Sequence, residues 1–308
     1  MSQRAVFKAR RVANESVSAW LPDHAVVVEG ERIADVVPGS SLPGDATSGH
    51  RVYDLGDVSL LPGLIDCHSH LHCSATPDAY QLVTTESIDR LLLRAAANAR
   101  IVLMSGVTTL RDLGCRNEVV FPLRDAIRAG LVPGPRLLLA GTPITTTAGH
   151  CHMFGTEADT LDEVVTAVRR QKKLGADCIK MMATGGMFTP TANPRTVQYP
   201  VETLRAAVRE AERLDMGMAH ARFDASSANA RAFVKWLGYT SWQAIAASTR
   251  ETAESMRLGG ELGAIRPGLV ADLVSVSGDP ATDIAALGRA VDVIQAGRPV
   301  RLGGRALV

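Results

Sequence analysis

Residues 60–72 read LLPGLIDCHSHLH. An apolar run broken by a proline–glycine pair leads into three histidines at alternate positions, His68, His70 and His72, flanked by Cys67 and Cys73. Side chains alternate across a strand, so His68 and His70 point to one side and Cys67 to the other. Paired imidazoles on one strand face are the way a barrel strand grips a metal ion. Two ligands do not complete a catalytic site, because zinc in such sites takes three protein ligands and keeps a further position for water. The rest of the chain has to supply the remainder. The cluster CHSHLHC alone also fits adventitious zinc binding without catalysis.

Outward from this stretch the pattern differs on the two sides. Residues 1–60 read as short strands: AVVV at 25–28, a turn at 29–31 and RIADVV at 32–37 spell a β-hairpin. From Leu64 onward strands alternate with helices. LIDCHSH is strand-like, and Ile88, Leu91, Leu92, Ala95, Ala99 and Val102 fall at helical spacing. VTTLRDLG (107–114) is a strand, 118–129 a helix and RLLLAG (136–141) a strand. Thr160 and Glu163 form a capping box that opens a helix ending at Gly175. CIKMMATGG (178–186) is a strand, 201–214 a helix and GMAHA (217–221) a strand. Such alternation implies parallel strands with helices outside. After Ala221 the rhythm breaks into a loop, short helices to 258, and strand-like segments with glycine and proline turns. The β-rich ends are expected to fold together into one small β domain.

The chain has 308 residues, a formal net charge of +1 and 46% hydrophobic residues. That is a soluble globular composition, sized for one large domain and a smaller one. The charge balance gives no footprint for nucleic acid or an anionic membrane. The five cysteines show no CxxC pair, which fits a reducing, cytoplasmic setting better than a disulfide framework. Neither a signal peptide nor a membrane span is expected from the apolar runs.

PGLIDCHSH, GVTTLRDLG, IKMMATGG and GAIRPGLVADLVSVSGDP together resemble the metal-dependent amidohydrolase superfamily, with the imidazolonepropionase-like and prolidase-like members as the nearest branch. The resemblance covers nearly the whole chain. It implies a (β/α)8 TIM-type barrel over 63–259 and a small β-sandwich built from 1–62 and 260–308. It also implies one or two divalent ions, most simply zinc. The ligands it implies are His68 and His70 on the first strand, a carboxylated Lys180 on the fourth and His220 on the fifth. Asp224, in RFDASSANAR, would be both a ligand and the general base. His150 and His152 in TTTAGHCHMFG would face substrate, with Tyr199 at the border. The implied reaction is hydrolysis of an amide, peptide or cyclic amide bond in a small-molecule or dipeptide-like substrate. Read from the residues alone, Lys180 also fits a strand-end ion pair, His220 a core histidine and Asp224 a helix N-cap.

One departure is plain. Three residues separate His220 from Asp224, and no histidine follows His220. The segments for strands 6 and 7, with their histidine, are therefore expected to be missing, leaving an incomplete barrel where a closed one takes about 250 residues. Two outcomes stay open: a hydrolase whose barrel is completed by a second copy of the chain, and a degenerate, inactive relative that binds one metal or none.

Overall fold

The computed structural model describes residues 4–42, 49, 51–218 and 227–308. They fall into two compact units: Met1–Cys67 with Ile101–Thr109 and Phe223–Val308, and His68–Arg100 with Leu110–Arg222.

The strands β1 (Arg4–Ala13), β2 (Trp20–Glu29), β3 (Arg32–Pro38), β4 (Arg51–Asp54) and β5 (Val58–Pro62) come from the N-terminal end. They are followed by β6 (Leu64–Ser69), β7 (Val107–Asp112), β8 (Arg136–Leu139), β9 (Ile144–Thr145), β10 (Thr156–Glu157), β11 (Cys178–Ile179) and β12 (Gly217–Met218). The C-terminal end supplies β13 (Leu273–Ser277), β14 (Ala290–Gln295), β15 (Arg298–Leu302) and β16 (Arg305–Ala306). The helices are α1 (Ala79–Thr85), α2 (Ile88–Met104), α3 (Val120–Arg128), α4 (Leu161–Lys173), α5 (Val201–Arg213), α6 (Ser227–Leu237), α7 (Ser241–Ala247) and α8 (Arg250–Ser255).

In the first unit both chain ends share one nine-stranded sheet, ordered β16-β15-β14-β13-β5-β1-β2-β3, with β4 also on β1. The β2–β3 hairpin forms where the pattern placed it, with Glu29 opposite Arg32 and Gly30 in the left-handed region that lets so short a turn close. The ends are joined by β5, antiparallel to β13 and parallel to β1. Phe7, Leu60, Leu61, Val274 and Ile294 are all but fully buried, so apolar burial holds the two termini together. Gly63 explains the glycine of the opening motif: a Cβ there would run into the Thr108 side chain.

In the second unit the strands stand side by side in chain order. Leu113 N–H bonds Ser69 O, Ala140 N–H bonds Asp112 O, and Asp177 N–H bonds Leu139 O. Ile144 bridges Met181 in parallel, and β11 pairs β12 in parallel. A helical connection separates most successive neighbours, as parallel neighbours require. Helix α4 begins at the expected capping box, in which the Thr160 and Glu163 side chains each bond the other's backbone N–H. Acidic Asp162 and Glu163 fill its first turn and basic Arg170, Lys172 and Lys173 its last, complementing the helix dipole.

One segment differs from the sequence reading. CIKMMATGG is not one strand: β11 ends at Ile179, and 183–198 turns back on itself. Thr184 pairs antiparallel with Val197, and Gln198 N–H bonds Ala183 O at 2.9 Å. Gly185 allows this turn-back, because a side chain there would meet the Asn193 backbone. Of GMAHA, only Gly217 and Met218 are described as β12. His220 and Asp224 lie outside the described residues.

Candidate active site

A cavity of about 920 Å³ opens beyond the C-terminal ends of β6 and β11. His68, His70 and Lys180 line it together. The strand alternation therefore does what it implied: His68 and His70 share a face, their ring centroids 5.5 Å apart, and Cys67 is buried away from it.

Both imidazoles are held neutral. Burial, then the positive charge of Lys180, pushes His68 down to about 3. Burial likewise holds His70 at about 4, against the opposing pull of its bond to the Gly114 carbonyl. That bond, 2.9 Å from Nδ1 to the oxygen, also decides the tautomer. A carbonyl only accepts, so Nδ1 carries the proton and Nε2 keeps its lone pair. Ligating histidines are commonly oriented by such a second bond.

The loop that sets this geometry hangs on Asp112, to which the sequence reading gave no role beyond its place in the strand VTTLRDLG. Its buried carboxylate accepts Leu71 N–H at 2.7 Å and Gly114 N–H at 3.0 Å. His72 takes no part in the cavity lining: it is fully buried and meets the Phe154 ring edge-on at 4.9 Å.

His150 also lines the cavity. Burial first, then Lys180, lowers its proton affinity. His152, two residues on, is not part of the lining and stands 3.9 Å from Glu157. Tyr199 is buried at 1% exposure and donates its hydroxyl to Ala158 O at 2.7 Å, so it sits behind the wall. Cys73 and Cys151 line the cavity too. Burial pushes their thiols up to about 12 and about 11, so they are protonated at neutral pH and act as wall rather than nucleophile.

Two neutral imidazoles on one strand face, one with its bare nitrogen fixed, are donor chemistry that suits a divalent ion. Among the described residues no three His, Cys, Asp or Glu side chains are grouped to hold one.

A family model described as amidohydrolase family matches residues 59–238. The chain belongs to the amidohydrolase family. Enzymes of this superfamily are generally metal-dependent, in keeping with the paired imidazoles. The chain is 30% identical to ochratoxinase of Aspergillus niger over 228 residues, covering 63% of this chain and 45% of that protein. It is 36% identical to imidazolonepropionase of Hyphomonas neptunium over 80 residues, covering 23% of this chain and 19% of that one. It thus spans under half the length of these curated relatives. Among solved structures it resembles a Xaa-Pro dipeptidase with methionine bound in the active site. The TM-score is 0.82 at 23% identity, over 97% of this chain and 100% of that one. A. niger ochratoxinase gives 0.84 at 20% identity, over 99% and 98%. At this level of identity the likeness establishes the fold, an α/β chain of TIM-barrel type.

Proposed function

We propose that this amidohydrolase-family chain is a metal-dependent hydrolase of amide, peptide or cyclic amide C–N bonds. The observation that carries the reading is the convergence of neutral His68 and His70 with Lys180 on one cavity at the strand ends, where barrel enzymes keep their chemistry. His68, His70, a carboxylated Lys180, His220 and Asp224 are assigned as ligands of one or two divalent ions, with zinc the first choice. A divalent ion held there supplies Lewis acidity and lowers the pKa of water to about 7. The chain's own part is the proton traffic: Asp224 is assigned to take the proton of the attacking water and return it to the leaving nitrogen. His150 is assigned as the contact to a small-molecule or dipeptide-like substrate. His152 and Tyr199 are assigned at most an indirect part, behind the loop that carries His150.

We assign 1–62 and 260–308 to a composite β-sandwich and 63–259 to the barrel domain. In support, β1 gives its first half to β4 and its second half to β5, the kind of shared strand at which one sheet turns into two layers. We read the barrel as incomplete, of the imidazolonepropionase- and prolidase-like branch, with the strand 6 and 7 segments deleted. In support, only three residues separate His220 from Asp224 in the sequence, and one βαβ crossover alone takes at least about 10–12.

The same shortness favours a second reading, an inactive relative that binds one metal or none. A homo-oligomer whose copies complete each other's barrels would reconcile the shortness with activity. No described helix is long and apolar enough to cross a membrane, and a cytoplasmic setting is our reading. Metal analysis of the purified protein, with a hydrolysis panel of dipeptides, N-acyl amino acids and lactams, tests the main reading. Bound metal with turnover is expected, and no bound metal with no turnover overturns it. Light scattering tests assembly: an active, strictly monomeric protein excludes completion by a partner.

A further inference from the structure

The hairpin 183–198 bears on which substrates this cavity accepts. Its first leg follows Lys180, just beyond the end of β11, and its Phe188 lines the cavity. Phe188 belongs to a run of ring contacts: Tyr80 at 5.8 Å, and Phe154 at 6.2 Å, which itself lies 6.3 Å from the His70 ring. Met182, Leu204 and Val208 extend the apolar wall. Leu204 and Val208 stand one helical turn apart on α5, so they present a continuous aliphatic strip. The polar end of the cavity, His68, His70, Lys180 and His150, thus faces an apolar end with an aromatic corner.

The hairpin is also clasped to the His150 loop at two consecutive peptide groups. Gln198 Oε1 accepts His150 N–H at 2.8 Å, and Thr189 Oγ1 accepts Cys151 N–H at 2.9 Å. Gln198 uses its amide as well, donating through Nε2 to Thr145 Oγ1 at 2.8 Å and to Met182 O at 3.1 Å. One side chain therefore ties together β9, the segment just beyond Lys180, and the loop that bears His150. Gly186 lies flush against the His150 ring, where any side chain would overlap the imidazole. The apolar corner and His150 are consequently set by the same element.

We propose that this hairpin is the specificity element of the site. It seats an uncharged aromatic or branched aliphatic group of the substrate against the corner that Phe188 and Phe154 form together, and Gln198 is the positioning residue that holds this wall against His150. The proposal deepens the hydrolase reading and takes from it only that the cavity binds substrate. Such a ligand gains twice, from apolar area removed from water and from ring–ring contact. The cavity volume suits a ligand of this kind.

The test uses ligands without a scissile bond, so that binding is read apart from turnover. Isothermal titration of the intact protein with 3-phenylpropionate, propionate and succinate is expected to give at least about tenfold tighter binding of 3-phenylpropionate than of the other two. Phe188→Ala is expected to remove about tenfold of that preference, and Phe188→Leu to keep most of it. Met187→Ala, on the same hairpin with its side chain in solvent, is expected to change nothing. Gln198→Leu is expected to raise the rate at which diethylpyrocarbonate modifies His150, read by peptide mass spectrometry. Gln198→Glu, which keeps the acceptor for His150 N–H but loses the donor to Met182 O, is expected to give a rate between those of the parent and Gln198→Leu. Equal binding of the three acids, an unchanged preference in a folded Phe188→Ala protein, or an unchanged His150 rate in Gln198→Leu would each overturn the proposal. Selective binding without amide cleavage would sink the hydrolase reading alone, and cleavage indifferent to the apolar group would sink this one alone.

Discussion

Asp112 and His70 are linked through a single glycine. Asp112 accepts Gly114 N–H at 3.0 Å, and the Gly114 carbonyl accepts His70 Nδ1–H at 2.9 Å. Since the same carboxylate also takes Leu71 N–H, one buried anion fixes both the loop behind the imidazole and the tautomer of its ring. Asp112→Ala leaves two buried N–H groups without this acceptor. It is expected to cost about 2–4 kcal/mol in urea unfolding and to weaken metal binding by about 10–100-fold in competition with a chelator.

The three histidines of CHSHLH should separate by phenotype. His68→Ala and His70→Ala are expected to lose bound metal while folding cooperatively, because both rings face the cavity. His72→Ala is expected to retain metal but to melt at a lower temperature, because its ring is buried against Phe154 and its loss leaves a void. Metal content by mass spectrometry and thermal melts of the three proteins check this. Metal loss in His72→Ala with normal content in His70→Ala would reverse the assignment.

Tyr199 tests the difference between bordering a site and supporting it. Its hydroxyl bonds Ala158 O inside the wall. Tyr199→Phe is expected to cost about 1 kcal/mol, and up to about 3 if the carbonyl is left dry, with KM unchanged on any substrate the protein turns over. A several-fold rise in KM without a loss of stability would instead place the phenol against substrate.

The pairing of α4 with α5 carries an acid dependence. Glu210 receives Arg213 at 2.6 Å and Arg169 at 2.7 Å. The hydrogen bond from Arg213, then that from Arg169, draws its carboxyl from 4.5 down to about 2. A carboxyl more acidic folded than unfolded stabilises the fold above its unfolded pKa. That contribution fades as pH drops from about 4.5 through about 2. Urea midpoints measured across this window should fall with acidity in the parent and fall less in Glu210→Gln. Parallel curves for the two proteins would show that this contact contributes nothing.

How much of this was legible in the sequence depends on the range of the interaction. The β2–β3 hairpin, the capping box at Thr160 and Glu163 and the shared face of His68 and His70 follow from rules spanning two to four residues, and the chain alone determined them. That the two β-rich ends combine was also legible, because neither could bury its apolar alternation alone. The tertiary structure decided what depends on residues distant in sequence. Asp112 works on a loop some forty positions earlier, and Gln198 joins Thr145, His150 and Met182 through one amide. Neither carries a local signature, since a hydrogen bond between remote segments leaves no periodicity behind. His152 and Tyr199 show the converse. The resemblance suggested that His152 faces substrate and Tyr199 borders it, but His152 stands beside Glu157 and the buried Tyr199 hydroxyl bonds Ala158 O.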